Sequence, residues 1–197
     1  MLNLIGNNCL SALLLKKLNL PFINPFIWMV CPYDSIFYLM NNYNKINWNN
    51  YEFSKSNIKK NTFIITIDNK INLHFVHHIF DPAIKVPKIE KDNEWQGEIR
   101  YCKIWELINN NYLKRIERIK TASVPIFLIY DEIYPIKNVH TIKDLAYNDS
   151  NFKRIIITTD KTLVRNDNIC KIIHIDYRKD MNLLLNEKMN DIVSFMQ

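Results

Sequence analysis

Cysteine chemistry in this chain would start at Cys9, in the segment Gly6-Asn7-Asn8-Cys9. Leu2 to Gly6 is a short apolar run ending in glycine and reads as a buried strand. Leu10, Leu13, Leu14 and Leu18 then follow at helical spacing, and Leu20-Pro21 ends the element. Asn7 and Asn8 are suitable N-caps. The unit is strand, tight turn and helix, with a cysteine in the helix's first turn. Backbone N–H groups and the helix dipole favour a thiolate there, and the thiolate is the nucleophile. The plain structural alternative is a small apolar residue starting a core helix.

A thiol nucleophile needs an imidazole to take its proton. The run Leu73-His74-Phe75-Val76-His77-His78 holds three of the chain's 5 histidines. Strand alternation puts Leu73, Phe75 and His77 on one face and His74, Val76 and His78 on the other. His77 is therefore the preferred base, beside the core or a cleft next to the first helix. His78 and His174 are the fallbacks, and each histidine taken singly also fits an ordinary polar strand end. Asp131 follows the apolar run Val124 to Tyr130. It should emerge at a strand end, where α/β folds often place catalytic groups, although a solvated turn residue would stand there too. The order Cys, His, Asp along the chain is that of papain-like enzymes. The Asn8 side chain and the Cys9 N–H would form the oxyanion hole. This assignment predicts a His77 ring nitrogen within about 4–5 Å of the Cys9 sulfur and Asp131 on the other ring nitrogen.

No metal and no cofactor are expected. His77, His78 and Asp81 offer three possible ligands with no fourth, and Cys9, Cys31, Cys102 and Cys170 form no CxxC pair. With only Gly6 and Gly97 as glycines, neither a P-loop nor a GxGxxG loop can form. That argues against a Walker-type NTPase and an ordinary Rossmann dehydrogenase.

The elements that must position these residues alternate in type. Tyr33 to Tyr43 reads as a helix. Phe63 to Ile67 and Ile71 to Ile79 read as strands joined around Asp68-Asn69-Lys70. Asp81 to Gly97 is a long polar loop and a candidate lid. Ile99 to Lys120 is amphipathic through Ile104, Leu107, Ile108, Tyr112, Ile116 and Ile119. Arg154 to Thr159 and Cys170 to Asp176 are short buried strands, and Asn182 to Met196 is a closing helix. The pattern predicts one α/β domain over residues 1–197, with a central, partly parallel sheet flanked by helices.

The net charge of +6 favours anionic partners, but the positive charges are dispersed. Lys114 to Lys120 carries Glu117 in its middle and reads as a solvated helix face. No basic stripe with interleaved aromatics exists, so no specific nucleic-acid binding is expected. Lys16-Lys17 sit inside the first apolar stretch, unlike a signal peptide, and no run of 18 apolar residues predicts a membrane span. The absence of a disulfide framework fits a reducing compartment, so a cytoplasmic location is expected.

Two resemblances add to this reading. Gly6-Asn7-Asn8-Cys9, then Ala12, Leu15 to Leu20 and Pro25-Phe26-Ile27-Trp28, resemble the opening of a bacterial and viral family of papain-like cysteine peptidases of unknown function. That opening ends in Pro-Phe-Asp-Trp, so Ile27 is a departure. Tyr112 to Arg118 and Pro125 to Ile129 are similar to its later helix and strand. A related family associated with exopolysaccharide biosynthesis is similar in Asn7-Asn8-Cys9, Pro32-Tyr33-Asp34, Ile71 to His77 and Tyr130-Asp131. Together the resemblances cover about residues 1–135, and both place a histidine at His77. They imply a Cys-His-Asp site, a papain-like cysteine at a helix N-terminus, and a thiol hydrolase or acyltransferase. They imply a role near surface-glycan synthesis, so the expected substrate is a surface glycan or its precursor, and the net charge of +6 favours an anionic one. The competing expectation is a non-catalytic or glycosyltransferase-associated protein of polysaccharide synthesis.

Overall fold

In a computed structural model the chain is described at residues 2–21, 26, 29–55, 63–74, 112–119, 121–131, 138–176 and 181–197. Four strands form a wholly parallel sheet: β1 (Leu4–Gly6), β5 (Ile126–Tyr130), β6 (Arg154–Thr158) and β7 (Cys170–His174), in that spatial order. A second, antiparallel sheet holds β2 (Tyr51–Lys55), β3 (Phe63–Ile67) and β4 (Ile71–His74). The helices are α1 (Leu10–Lys17), α2 (Tyr33–Asn42), α3 (112–119), α4 (Ile142–Ala146) and α5 (Met181–Met196). The α/β class and parallel pairing agree with the expectation. The β3–β4 hairpin differs: it builds its own sheet instead of joining a single central one.

The parallel strands are apolar on both faces because both faces are covered. Leu4, Ile126, Leu128, Tyr130, Ile155, Ile157 and Ile173 pack in one cluster with α1 and α5. Ile5, Phe127, Ile129 and Ile156 pack in the other with α2, α3, α4 and the hairpin sheet. Strand alternation thus sorts neighbouring residues into two cores.

With so few glycines, Asn and Asp supply the left-handed backbone. Asn19 ends α1 at φ 52°. The Leu20 amide donates to the Leu15 carbonyl at 2.9 Å, and Asn19 donates to Lys16 at 3.1 Å, a Schellman pattern. Asp68 and Asn69 turn the hairpin at φ 53° and 56°, as a type I′ turn requires.

The N-terminal edge of the sheet is structural. Arg154 is fully buried at the start of β6. Its guanidinium donates to the carbonyls of Ala146, Asn148, Ser150 and Phe152, so one buried cation orders the loop before the strand. Cys170 begins β7 at the same edge, paired with Arg154. It lies at the far end of the strands from Cys9.

Asn7 extends the β1–β5 ladder with its side chain. Its Nδ2 donates to the Tyr130 carbonyl and its Oδ1 accepts from the Tyr130 amide, both at 2.9 Å. Asn7→Ala would leave two buried backbone groups of β5 unsatisfied. We expect a loss of about 2–4 kcal/mol in urea unfolding. Asn41→Ala, which removes one exposed bond to the Phe37 carbonyl, should change stability by less than about 0.5 kcal/mol.

Candidate active site

The turn between β1 and α1 is built by close packing. A Cβ on Gly6 would lie 2.6 Å from Ser11 Oγ and 2.8 Å from Ser11 Cβ, so this position must be glycine for α1 to begin here. Ser11 is itself fully buried and donates to the Asn8 carbonyl at 3.3 Å. Asn8 is buried, and its Oδ1 accepts from the Leu10 amide at 2.9 Å. The bond spans two residues and lies just before the helix, so neither Asn7 nor Asn8 is the N-cap that the sequence suggested. Cys9 stands at the cap position of α1, and its carbonyl accepts the first helical bond, from Leu13, at 3.0 Å.

Asp131 emerges from the C-terminal end of β5, beside the Tyr130 backbone that Asn7 grips. Cys9 and Asp131 thus share the C-terminal edge of the parallel sheet. Asp131 Oδ2 accepts from the Thr158 hydroxyl at 2.7 Å and Oδ1 from the Tyr33 hydroxyl at 3.3 Å. Thr158 Oγ1 in turn accepts from the Asp160 amide at 3.0 Å. Two hydroxyls from different elements therefore fix the carboxylate. Thr158 is paired with His174 at the end of β7, which brings the fallback histidine to the same edge.

His77 and His78 lie outside the described residues, as do Cys102, the Asp81–Gly97 loop and the first part of the long amphipathic helix, 99–111. His74 is described. It exchanges two 2.8 Å backbone bonds with Val30, and the next residue, Cys31, donates its amide to the Asn7 carbonyl at 2.9 Å. The end of β4 is thereby tied to the Asn7–Cys9 turn through two residues. His74 is buried on the face opposite Leu73. Its Nδ1 has no hydrogen-bond partner among the described residues, and burial lowers its pKa.

Exposure does not separate the cysteines: Cys9 is 3% exposed, Cys31 2% and Cys170 0%. Burial raises the thiol pKa of both Cys170 and Cys31, and in Cys31 far above the ordinary value, only partly offset by a bond with Ser35. The closed position of Cys9 is what the core-residue alternative also expects.

One arrangement was missed at the sequence level. Asp34, in the first turn of α2, accepts from the Val139 amide at 3.0 Å and from the His140 amide at 2.7 Å. The same carboxylate meets His140 Nδ1 at 2.8 Å, and the His140 ring stacks on Phe37 at 3.8 Å between centroids. Burial alone would raise the Asp34 pKa. The His140 and Val139 amides and the His140 ring outweigh it and lower the pKa. The available signal was the Thr141-x-x-Asp144 cap that starts α4 immediately after His140.

Among the described residues no cluster of three or more His, Cys, Asp or Glu side chains could hold a metal ion, and no helix is long and apolar enough to cross a membrane. No family model, curated protein or solved structure matches the chain.

Two of these groups predict how acid unfolds the protein. The depressed pKa of His74 means that the folded state resists its protonation. Its contribution is full above the unfolded imidazole value of about 6.5 and is lost as pH falls from there to the lower folded value. Asp34 is depressed too, so its contribution is full above about 3.9 and is lost as pH falls through its folded value. Urea midpoints measured against pH should therefore fall in two stages. His74→Gln should flatten the first stage and Asp34→Asn the second.

Proposed function

We propose that the chain is a papain-like thiol hydrolase or acyltransferase acting on an anionic surface glycan or its precursor. Cys9 is the nucleophile and His77 the general base, then acid. Asp131 orients the imidazole, and the Asn8 side chain with the Cys9 N–H stabilises the oxyanion. The observation that carries this reading is the Asn7–Tyr130 pairing, which fastens the Cys9 turn beside Asp131 at the C-terminal edge of a parallel sheet. The tie from Asn7 through Cys31 and Val30 to His74 supports it, because His77 is three residues beyond His74 in the chain. The net charge of +6 supports an anionic ligand.

In the mechanism, His77 takes the thiol proton as the Cys9 sulfur attacks a carbonyl carbon. Collapse of the tetrahedral adduct expels the leaving group, which receives that proton, and leaves an acyl-thioester. In hydrolysis water then attacks, giving its proton to His77, and the thiolate departs. The 3% exposure of Cys9 favours a second reading, in which the turn is purely structural and the protein is a non-catalytic or glycosyltransferase-associated partner in polysaccharide synthesis.

Peptide mapping after brief native labelling with iodoacetamide separates the two. The catalytic reading expects Cys9 to be carbamidomethylated before Cys31, Cys102 and Cys170, and to be slowed about tenfold or more by Asp131→Asn. Equal labelling of all four cysteines, or a Cys9 rate untouched by that substitution, would favour the accessory role.

A further inference from the structure

We infer that His140 and Asp34 form a second proton-accepting site on this edge of the molecule, one that binds and activates a hydroxyl-bearing acyl acceptor. The inference rests on the thiol-acyltransferase reading of Cys9 and names the acceptor class that reading leaves open.

The Asp34 carboxylate accepts two backbone N–H bonds, from Val139 and His140, and is held ionised. An ionised carboxylate can only accept, so His140 Nδ1, at 2.8 Å, must be the donor. Of the two tautomers of an imidazole, this contact selects the Nδ1–H form, in which Nε2 carries the lone pair. Phe37 fixes the plane of the ring by stacking at an interplanar angle of 19°. Nε2 is on the far side of the ring from the carboxylate, and it makes no hydrogen bond among the described residues. The His140 side chain is 34% exposed. An oriented imidazole with an open Nε2 and a carboxylate behind Nδ1 is equipped to take a proton.

The place in the fold connects this base with Asp131. Asp34 directly follows Tyr33, whose hydroxyl donates to Asp131. Phe37 lies one helical turn beyond Tyr33 on the same side of α2. One stripe of α2 therefore touches Asp131 at one end and the His140 ring at the other. The carboxylates that interact with this ring are Asp34 on α2 and Asp144 on α4, and Lys143 is close to Asp144. Two carboxylates against one ammonium disfavour an anionic group at Nε2 and suit a neutral hydroxyl.

In the transfer step, the acceptor O–H gives its proton to His140 Nε2 while its oxygen forms a bond to the acyl carbon held on Cys9. The C–S bond breaks, the ester leaves, and the electron pair returns to sulfur as the thiolate. The proton on His140 passes to solvent or back to that thiolate.

The test uses the full chain with p-nitrophenyl acetate as acyl donor and glycerol as acceptor. Wild type should release one equivalent of p-nitrophenolate in a burst that Cys9→Ala abolishes, and glycerol should speed the turnover that follows. His140→Gln should still show the burst while the glycerol-dependent rate falls about 10²-fold. Asp34→Asn, which keeps the imidazole and frees its tautomer, should lower that rate by a smaller factor. It should also turn the single Nδ1–H tautomer, read from ¹⁵N shifts of His140, into a mixture. A burst with no glycerol acceleration, or with acceleration equal in wild type and His140→Gln, overturns the acceptor site and leaves the thiol reading standing. Absence of any Cys9-dependent burst overturns both.

Discussion

The paired hydrogen bonds between the Asn7 side chain and the Tyr130 backbone fix the geometry on which the rest of the site depends. A short first strand can pair with β5 only from Leu4 to Gly6. Beyond that point the chain must leave the sheet to begin α1. The Asn7 amide supplies the next donor and acceptor of the ladder from a side chain, so the backbone is free to turn while the end of β5 remains satisfied. Two things follow. The Cys9 turn is pinned at the level of Asp131, and the Asn7 carbonyl is left to receive the Cys31 amide. That bond brings in Val30 and, with it, the end of the hairpin strand β4.

The two ends of the parallel sheet carry different duties. At the N-terminal edge, Arg154 is spent on carbonyls of its own loop, and Cys170 is sealed beside it. At the C-terminal edge, polar side chains collect above two apolar cores: Asn7 and Asn8, Asp131, Thr158 and His174. Carbonyl ends of parallel strands and N-termini of following helices converge there, which is why sites of this fold class form at that edge. The Thr158 and Tyr33 hydroxyls on Asp131 limit the carboxylate to one orientation.

Much of this was legible from local pattern. The strand–turn–helix around Cys9, the turn at Asp68-Asn69, the buried runs of β6 and β7 and the closing helix α5 each carry their own signal in sequence. β2 did not, because Tyr-Glu-Phe-Ser-Lys is short, half polar and embedded among asparagines. α4 is only 5 residues long, too short for periodicity to register, although its capping box was there to be read. The long-range polar pairings were invisible for a different reason. Asn7 reads as a cap because a cap is a local property, whereas its actual partner is 123 residues away. Asp34 and His140 are 106 residues apart and meet only because α2 and α4 pack on one face of the sheet. The burial of Cys9 is likewise a tertiary outcome, since the turn that presents the thiol is covered by what packs around it.

The central claim is that Cys9 works with an imidazole at this edge and is not only a core residue. The most direct measurement is the pH dependence of its alkylation rate by iodoacetamide, followed by mass spectrometry from pH 4 to 10 in wild type and in His77→Ala. The account predicts a wild-type rate that rises with an inflection well below the ordinary thiol value of about 8.5. In His77→Ala the inflection should move back toward that value. A single inflection at or above about 8.5, identical in the two proteins, would contradict it.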